Sequence, residues 1–191
     1  MLLEIFDITL LKNIVSIFLV GFIIKIMDDI IDENHPEHLY KAALPYVILI
    51  FIISTIIEYK TTTGLFMASY IVGMYSDIND TLLTGLKGYQ EAVIVAILGV
   101  IFLGRATFIF CLTVIIAVQL IDDVFDIELD KRLGHQNLAI KYGKVEIFIL
   151  SLIFCILSLM LDPIKGLIVL CAVPIINILF NKLKGEILNC E

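Results

Sequence analysis

Residues Gly21–Pro36 read GFIIKIMDDIIDENHP, an apolar run of membrane-helix character that ends in Asp28, Asp29 and Asp32. A carboxylate held in hydrocarbon costs at least about 2.5 kcal/mol, even on lenient insertion scales. Three of them at one helix end therefore require water, headgroups or cations. The rest of the chain shares the apolar character: of 191 residues, 60% are hydrophobic and 17% charged, with a mean hydropathy of +1.04. That lies outside the range of a soluble globular domain, and an integral membrane protein is expected. The start, MLLEIFDITLLKN, has acids where a secretory signal carries basic residues, and no small-residue cleavage site follows. The first apolar segment is accordingly expected to remain as a helix.

Other classes are disfavoured by composition. A net charge of -7 leaves no basic stripe to neutralise a phosphate backbone, so nucleic acid is not an expected partner. Cys111, Cys155 and Cys171 fall in apolar runs and Cys190 near the C-terminus, with no CxxC spacing, and read as small packing residues.

Seven apolar segments can be drawn, at 9–31, 41–57, 63–76, 89–104, 106–125, 144–161 and 164–181. A span needs about 20 residues, so 63–76 and 89–104 are short and must borrow from their flanks. No alternation of apolar and polar residues supports a barrel, and helices are expected throughout. The expected architecture is all-α: one polytopic transmembrane bundle over 1–191, about seven spans, with acid-bearing helices at 9–33 and 106–130. Tight connections (EYKTTTG, GR, DPIKG) alternate with longer polar ones at 32–40, 77–88 and 126–143. If each segment crosses once, the long connections share one side. That side holds Lys41, Lys87, Lys131, Arg132, Lys141, Lys144, Lys182 and Lys184, against Lys12, Lys60, Arg105 and Lys165 opposite, which makes it cytoplasmic. Both acid clusters then face the cytoplasm, because they end the first and fifth segments.

The second cluster is QLIDDVFDIELDKRLG, residues 119–134. At about 100° per residue, Asp123, Asp126 and Asp130 fall in a narrow stripe of a continuous helix and Asp122 lies off it. Asp29 and Asp32 form a similar stripe, with Lys25 one turn deeper. Two such stripes at one membrane face repel unless cations lie between them. Hard oxygen ligands suit Mg2+, which keeps waters and bridges to phosphates. The guest implied is a diphosphate on a lipid-soluble chain. A plainer reading stands beside this one, in which each cluster is an interfacial cap in contact with headgroups and water. Likewise Lys25 is either a phosphate ligand or an i,i+4 partner of Asp29.

DDIID at 28–32, and above all DIELDKRLGHQNLAIKYG at 126–143, resemble the two aspartate motifs of the UbiA superfamily of intramembrane prenyltransferases. The second stretch follows the pattern D-x-x-x-D-x-x-x-G-x-x-N/T-x-A-x-x-x-G. The resemblance implies two four-helix halves whose aspartates meet over Mg2+ and a prenyl diphosphate. By position it makes Asp29, Asp32, Asp126 and Asp130 the catalytic acids, and Asp28, Asp29, Asp32, Asp123, Asp126 and Asp130 the metal set. YSDINDTLLTGLKGYQEA, at 75–92, is similar to a family segment in which a tyrosine and a following basic residue contact diphosphate. It nominates Tyr75 and Lys87; an interfacial anchor is the other role open to Tyr75. Lys131 and Arg132 are either diphosphate contacts or positive-inside signals.

Departures accompany the resemblance. Pro36 stands where the family's last acid of the first motif would fall, with Glu33 as the nearby substitute. Seven segments stand where the family has nine spans. That leaves room for lipid, for a partner chain or for a second copy in a homo-oligomer. The expected activity is transfer of a prenyl group from an isoprenoid diphosphate to a lipophilic, for example aromatic, acceptor. Two alternatives remain open: terpene-synthase-like cyclisation without an acceptor, and non-catalytic cation binding or transport. Against transport, such sites sit near the midplane on interrupted helices, whereas these acids lie at segment ends.

Overall fold

The computed structural model describes residues 2–32, 37–75, 78–81, 84–133 and 137–188. Among them every regular element is a helix: α1 (Leu2–Asp32), α2 (Glu37–Ile57), α3 (Tyr59–Gly73), α4 (Gly88–Leu103), α5 (Arg105–Phe125), α6 (Ile127–Leu133), α7 (Leu138–Tyr142), α8 (Lys144–Leu161) and α9 (Pro163–Leu188). The only extended pairing among the described residues is a single bridge between Thr81 and Lys87. Among the described residues, four helices are long and apolar enough to cross a membrane: Ile8–Asp28 within α1, α5, α8, and Pro163–Phe180 within α9. Leu44–Ile57 and α4 are apolar but shorter. This is a helical membrane protein.

Two differences from the expected segments matter. The connection at 126–143 is not merely a loop, since it holds α6 and α7. The acid-bearing helix expected at 106–130 also bends at Asp126, where φ is -94° and ψ is 11°. Helical bonding nevertheless continues through the bend, with Asp126 N–H donating to Asp122 O at 2.9 Å and Asp130 N–H to Asp126 O at 2.9 Å.

The tight connections shrink to one residue each: Glu58, Gly104 and Asp162. Each donates its N–H to the helix it ends and accepts at its C=O from the helix it starts. Gly104, for example, donates to Val100 O at 3.2 Å and accepts from Phe108 N–H at 3.1 Å. Glu58 and Asp162 add side-chain caps, to Thr61 N–H and to Lys165 N–H. Gly104 instead turns at φ +84° and ψ 152°, a conformation reserved for glycine.

The chain forms two compact units, Met1–Thr63 with Leu167–Glu191, and Gly64–Gly166. In the first, α1 packs on α2. Its buried positions Asn13, Ser16, Ile17, Val20 and Ile23 follow the helical repeat. Ser54 and Thr62 share a 2.8 Å hydrogen bond, and Ser54 Oγ also lies 3.1 Å from Ser16 O, which links α1, α2 and α3 through buried hydroxyls. The Phe22 and Phe180 rings meet edge to face with centroids 6.0 Å apart. Gly21 allows α9 to approach, because a Cβ there would stand 2.7 Å from Ile176.

The second unit is built on α5. Its buried positions Phe108, Cys111, Val114, Ala117, Leu120 and Val124 recur every three or four residues, and α8 is its main partner. Ser151 and Ser158 are the buried small residues of α8 and turn their hydroxyls onto their own backbone, at Phe148 O and Cys155 O. Cys111 fits the packing role expected of it, since a Cβ on Gly64 would meet its sulfur at 2.6 Å. Cys171, by contrast, is exposed. On α4, the bare backbone of Gly99 receives the buried Phe108 ring.

Close approach at Gly99 is testable. Gly99→Val drives a branched side chain into the Phe108 ring and is expected to cost about 1–3 kcal/mol, read as a lowered thermal midpoint in detergent. Gly73→Ala, with nothing within 4 Å of the added carbon, is expected to leave the midpoint unchanged or slightly raised.

Candidate functional site

The second acid cluster is organised by a fold-back. The chain leaves α5 at Asp126, runs through α6 and returns at Asn137, which is buried beneath the end of α5. Asn137 Nδ2 donates to Asp123 O at 2.8 Å and to Asp130 Oδ2 at 2.6 Å, while its Oδ1 accepts from Ile140 N–H at 3.0 Å and caps α7. Leu138 N–H donates to Asp123 Oδ2 at 3.1 Å. The Asp123 carbonyl, in the last turn of a helix where carbonyls lose their intrahelical partners, is thus supplied from outside.

Apolar packing fixes the same corner. Leu120 and Val124 of α5, Ala139 of α7 and Ile147 of α8 form one buried cluster, with Ile127, Leu138 and Phe154 against it. Gly143 closes α7 and opens α8 at φ +107°, where a Cβ would strike the Glu146 carboxylate. The Asn, Ala and Gly of the motif therefore have separate local reasons: an amide clamp, a small buried contact and a left-handed corner.

The expected stripe of three equivalent acids resolves into three environments. Asp123 is buried at 8% exposure, Asp130 is half-buried against Asn137, and Asp126 is exposed. Asp123 is engaged with the fold-back, Asp126 lies at the surface, and Asp130, one helical turn further on, is half-buried with one oxygen held by Asn137. Between 122 and 132 there are five acids and two bases, so the region is negative. Lys131 and Arg132, in the last turn of α6, are exposed.

The first cluster closes α1. Lys25 pairs with Asp28, Nζ to Oδ2 at 3.6 Å, an i,i+3 contact; the i,i+4 pairing with Asp29 considered from sequence rests on a side chain outside the described set. Both groups are substantially exposed, so the pair adds little stability. Asp29 and Asp32 lie in the last turns of α1, their side chains outside the described set, and Glu33 and Pro36 lie outside the described residues. The two clusters belong to different units. Among the described residues, no group of three or more His, Cys, Asp or Glu side chains is gathered as a metal-binding set.

Tyr75 and Lys87 stand near the two ends of the connection from α3 to α4, both exposed. Among the described residues neither has a hydrogen bond or ion pair to the acids of the motif. This connection has its own anchor, which sequence reasoning missed. Glu91 in the first turn of α4 accepts hydrogen bonds from Tyr70 of α3 and from Thr84 of the loop. Backbone bonds from Gly88 N–H to Asp80 O and from Tyr89 N–H to Ile78 O, both 3.1 Å, complete the turn. The available signal was a lone acid in the first turn of an otherwise apolar segment, a position where the helix dipole favours it. Asn137 stood in the quoted motif, but its donation to two acids could not be read from spacing.

No family model, curated protein or solved structure matches this chain.

The role of Asp123 gives a stability test. Asp123→Ala leaves the Leu138 N–H without its acceptor and is expected to lower stability by about 1–3 kcal/mol in thermal melts. Asp123→Asn keeps an acceptor oxygen and is expected to recover most of that loss.

Proposed function

We propose that this protein is an Mg2+-dependent prenyltransferase of the cell membrane, acting on an isoprenoid diphosphate and a lipophilic acceptor, with aromatic compounds among the candidates. The proposal includes a UbiA-like bundle of about seven spans, with both acid clusters facing the cytoplasm. The observation that carries it is the pair Asp126 and Asp130 at the end of an apolar helix, with Asp130 held by the buried Asn137 amide. An interfacial cap that only meets water needs no carboxylate held by a buried amide.

The donor set fits a hard cation: carboxylate oxygens, one of them hydrogen-bonded from behind. Asp126 and Asp130 would hold Mg2+, together with Asp29 and Asp32 of the first motif and Asp28 at its edge; Asp123 serves chiefly as the latch of the fold-back. Mg2+, when bound, supplies charge neutralisation for the departing diphosphate. Lys25, Lys131 and Arg132, and by resemblance Lys87 and Tyr75, would contact diphosphate oxygens. The allylic C–O bond breaks with its electron pair leaving on the diphosphate. The apolar helices house the hydrocarbon and keep water from the carbocation. An acceptor carbon then forms the new bond and loses its proton.

Purified protein incubated with labelled prenyl diphosphates of several lengths is expected to release diphosphate only with Mg2+. Asp126→Asn and Asp130→Asn are expected to lower release by at least about 100-fold with insertion unchanged, the scale of losing one preorganised electrostatic contact. Asp122→Asn should do far less. Equal loss at Asp122 and Asp126, or loss of folding instead of turnover, refutes the assignment. Diphosphate release with a cyclised product and no acceptor consumed would favour the synthase alternative. Cysteines introduced at 34 and 135 are expected to label from the same, cytoplasmic side; labelling from opposite sides refutes both topology and shared site.

A further inference from the structure

The carboxamide of Asn137 makes three contacts that fix which way it faces. Ile140 N–H points at Oδ1, while Nδ2 faces two oxygens, Asp123 O at 2.8 Å and Asp130 Oδ2 at 2.6 Å. The flipped amide would set N–H against N–H and oxygen against two oxygens, so only one orientation satisfies the network. Both Nδ2 hydrogens are used, in a side chain only 7% exposed. Few residues can replace it. Aspartate only accepts, serine and threonine have one proton to give, and glutamine is a methylene too long for a buried, occupied space.

We infer that Asn137 is a positioning residue for Asp130, setting the direction in which the carboxylate offers its oxygens to a divalent cation. This rests on the reading of Asp126 and Asp130 as the Mg2+ and diphosphate site. A hydrogen bond from behind a ligating carboxylate fixes its rotamer before the ion arrives, and removing such a partner typically costs about 10–100-fold in metal affinity. The competing explanation is purely structural, since Asn137 also caps α7. The two roles use different atoms: the cap uses Oδ1 and the positioning uses Nδ2. Serine is also a good N-cap, so Asn137→Ser keeps the first role and removes the paired donation of the second.

The test uses the full chain in detergent, with Mn2+ as probe, its free fraction followed by electron paramagnetic resonance, beside thermal midpoints and the Mg2+ dependence of diphosphate release. Asn137→Ser is expected to melt within a few degrees of wild type and to bind Mn2+ about 10–100-fold more weakly. Its Mg2+ half-saturation should rise correspondingly, with a much smaller change in kcat at saturating Mg2+. In the Asp130→Asn background the same change should cause no further loss of Mn2+ affinity, because the residue acts through Asp130. Wild-type Mn2+ affinity in Asn137→Ser overturns the inference, as does a loss that simply adds to that of Asp130→Asn. If Asn137→Ser does not fold, Asn137→Thr, which fills more of the same space, takes its place with the same expected outcomes. Failure of the wild-type protein itself to bind Mn2+ or release diphosphate refutes the site reading, and that result is distinct from a failure confined to Asn137.

Discussion

A polar group in hydrocarbon must find its partner within the protein, and the structure follows from that constraint. Helices satisfy the backbone along their length, but every corner threatens to strand donors and acceptors. At Glu58, Gly104, Gly143 and Asp162, and at the bend of Asp126, a single residue closes one helix with its N–H and opens the next with its C=O. Glu58 and Asp162 add a carboxylate cap and the glycine corners use positive φ, two chemically different solutions to the same turn. Among the described residues, no buried side-chain nitrogen or oxygen lacks a partner.

The same surroundings decide how helices recognise each other. Lipid tails are as apolar as leucine, so burying one leucine more earns little, and close contact becomes the main attraction. The buried faces are accordingly marked by small and hydroxyl-bearing residues: Ser16 and Gly21 on α1, Ser54 on α2, Thr62 and Gly64 on α3, Gly99 on α4, Ser151 and Ser158 on α8. Large aliphatic residues such as Ile56, Ile101 and Leu167 remain exposed, where lipid is their natural neighbour. Cys111 belongs with the small residues, seated against Gly64.

The second acid motif combines both rules. Asn137 supplies two acceptors near the end of α5, Ala139 and Ile147 seal the corner with Leu120 and Val124, and Gly143 turns the chain into α8. The fold thereby divides the three acids: Asp123 is given to the fold-back, Asp126 to the surface, and Asp130 stands between.

Apolar composition and segment length were enough to establish a helical membrane protein, and every segment drawn from hydropathy has its helix, because backbone satisfaction in lipid admits few alternatives. The alternation of tight and long connections was legible too, since glycine, proline and charge punctuate a chain this apolar. Legibility ended where a contact depends on residues distant in sequence. A helical wheel placed Asp123, Asp126 and Asp130 on one stripe, but the bend at Asp126 and the return of Asn137 gave them unequal burial. The Tyr70, Thr84 and Glu91 cluster joins a helix, a loop and a second helix. Local periodicity carries no information about such a meeting. Sequence determined which residues must be helical, because that follows from each segment's own solvation; tertiary structure alone decided which acid is held and which is presented, because that depends on which partner the fold brings back to it.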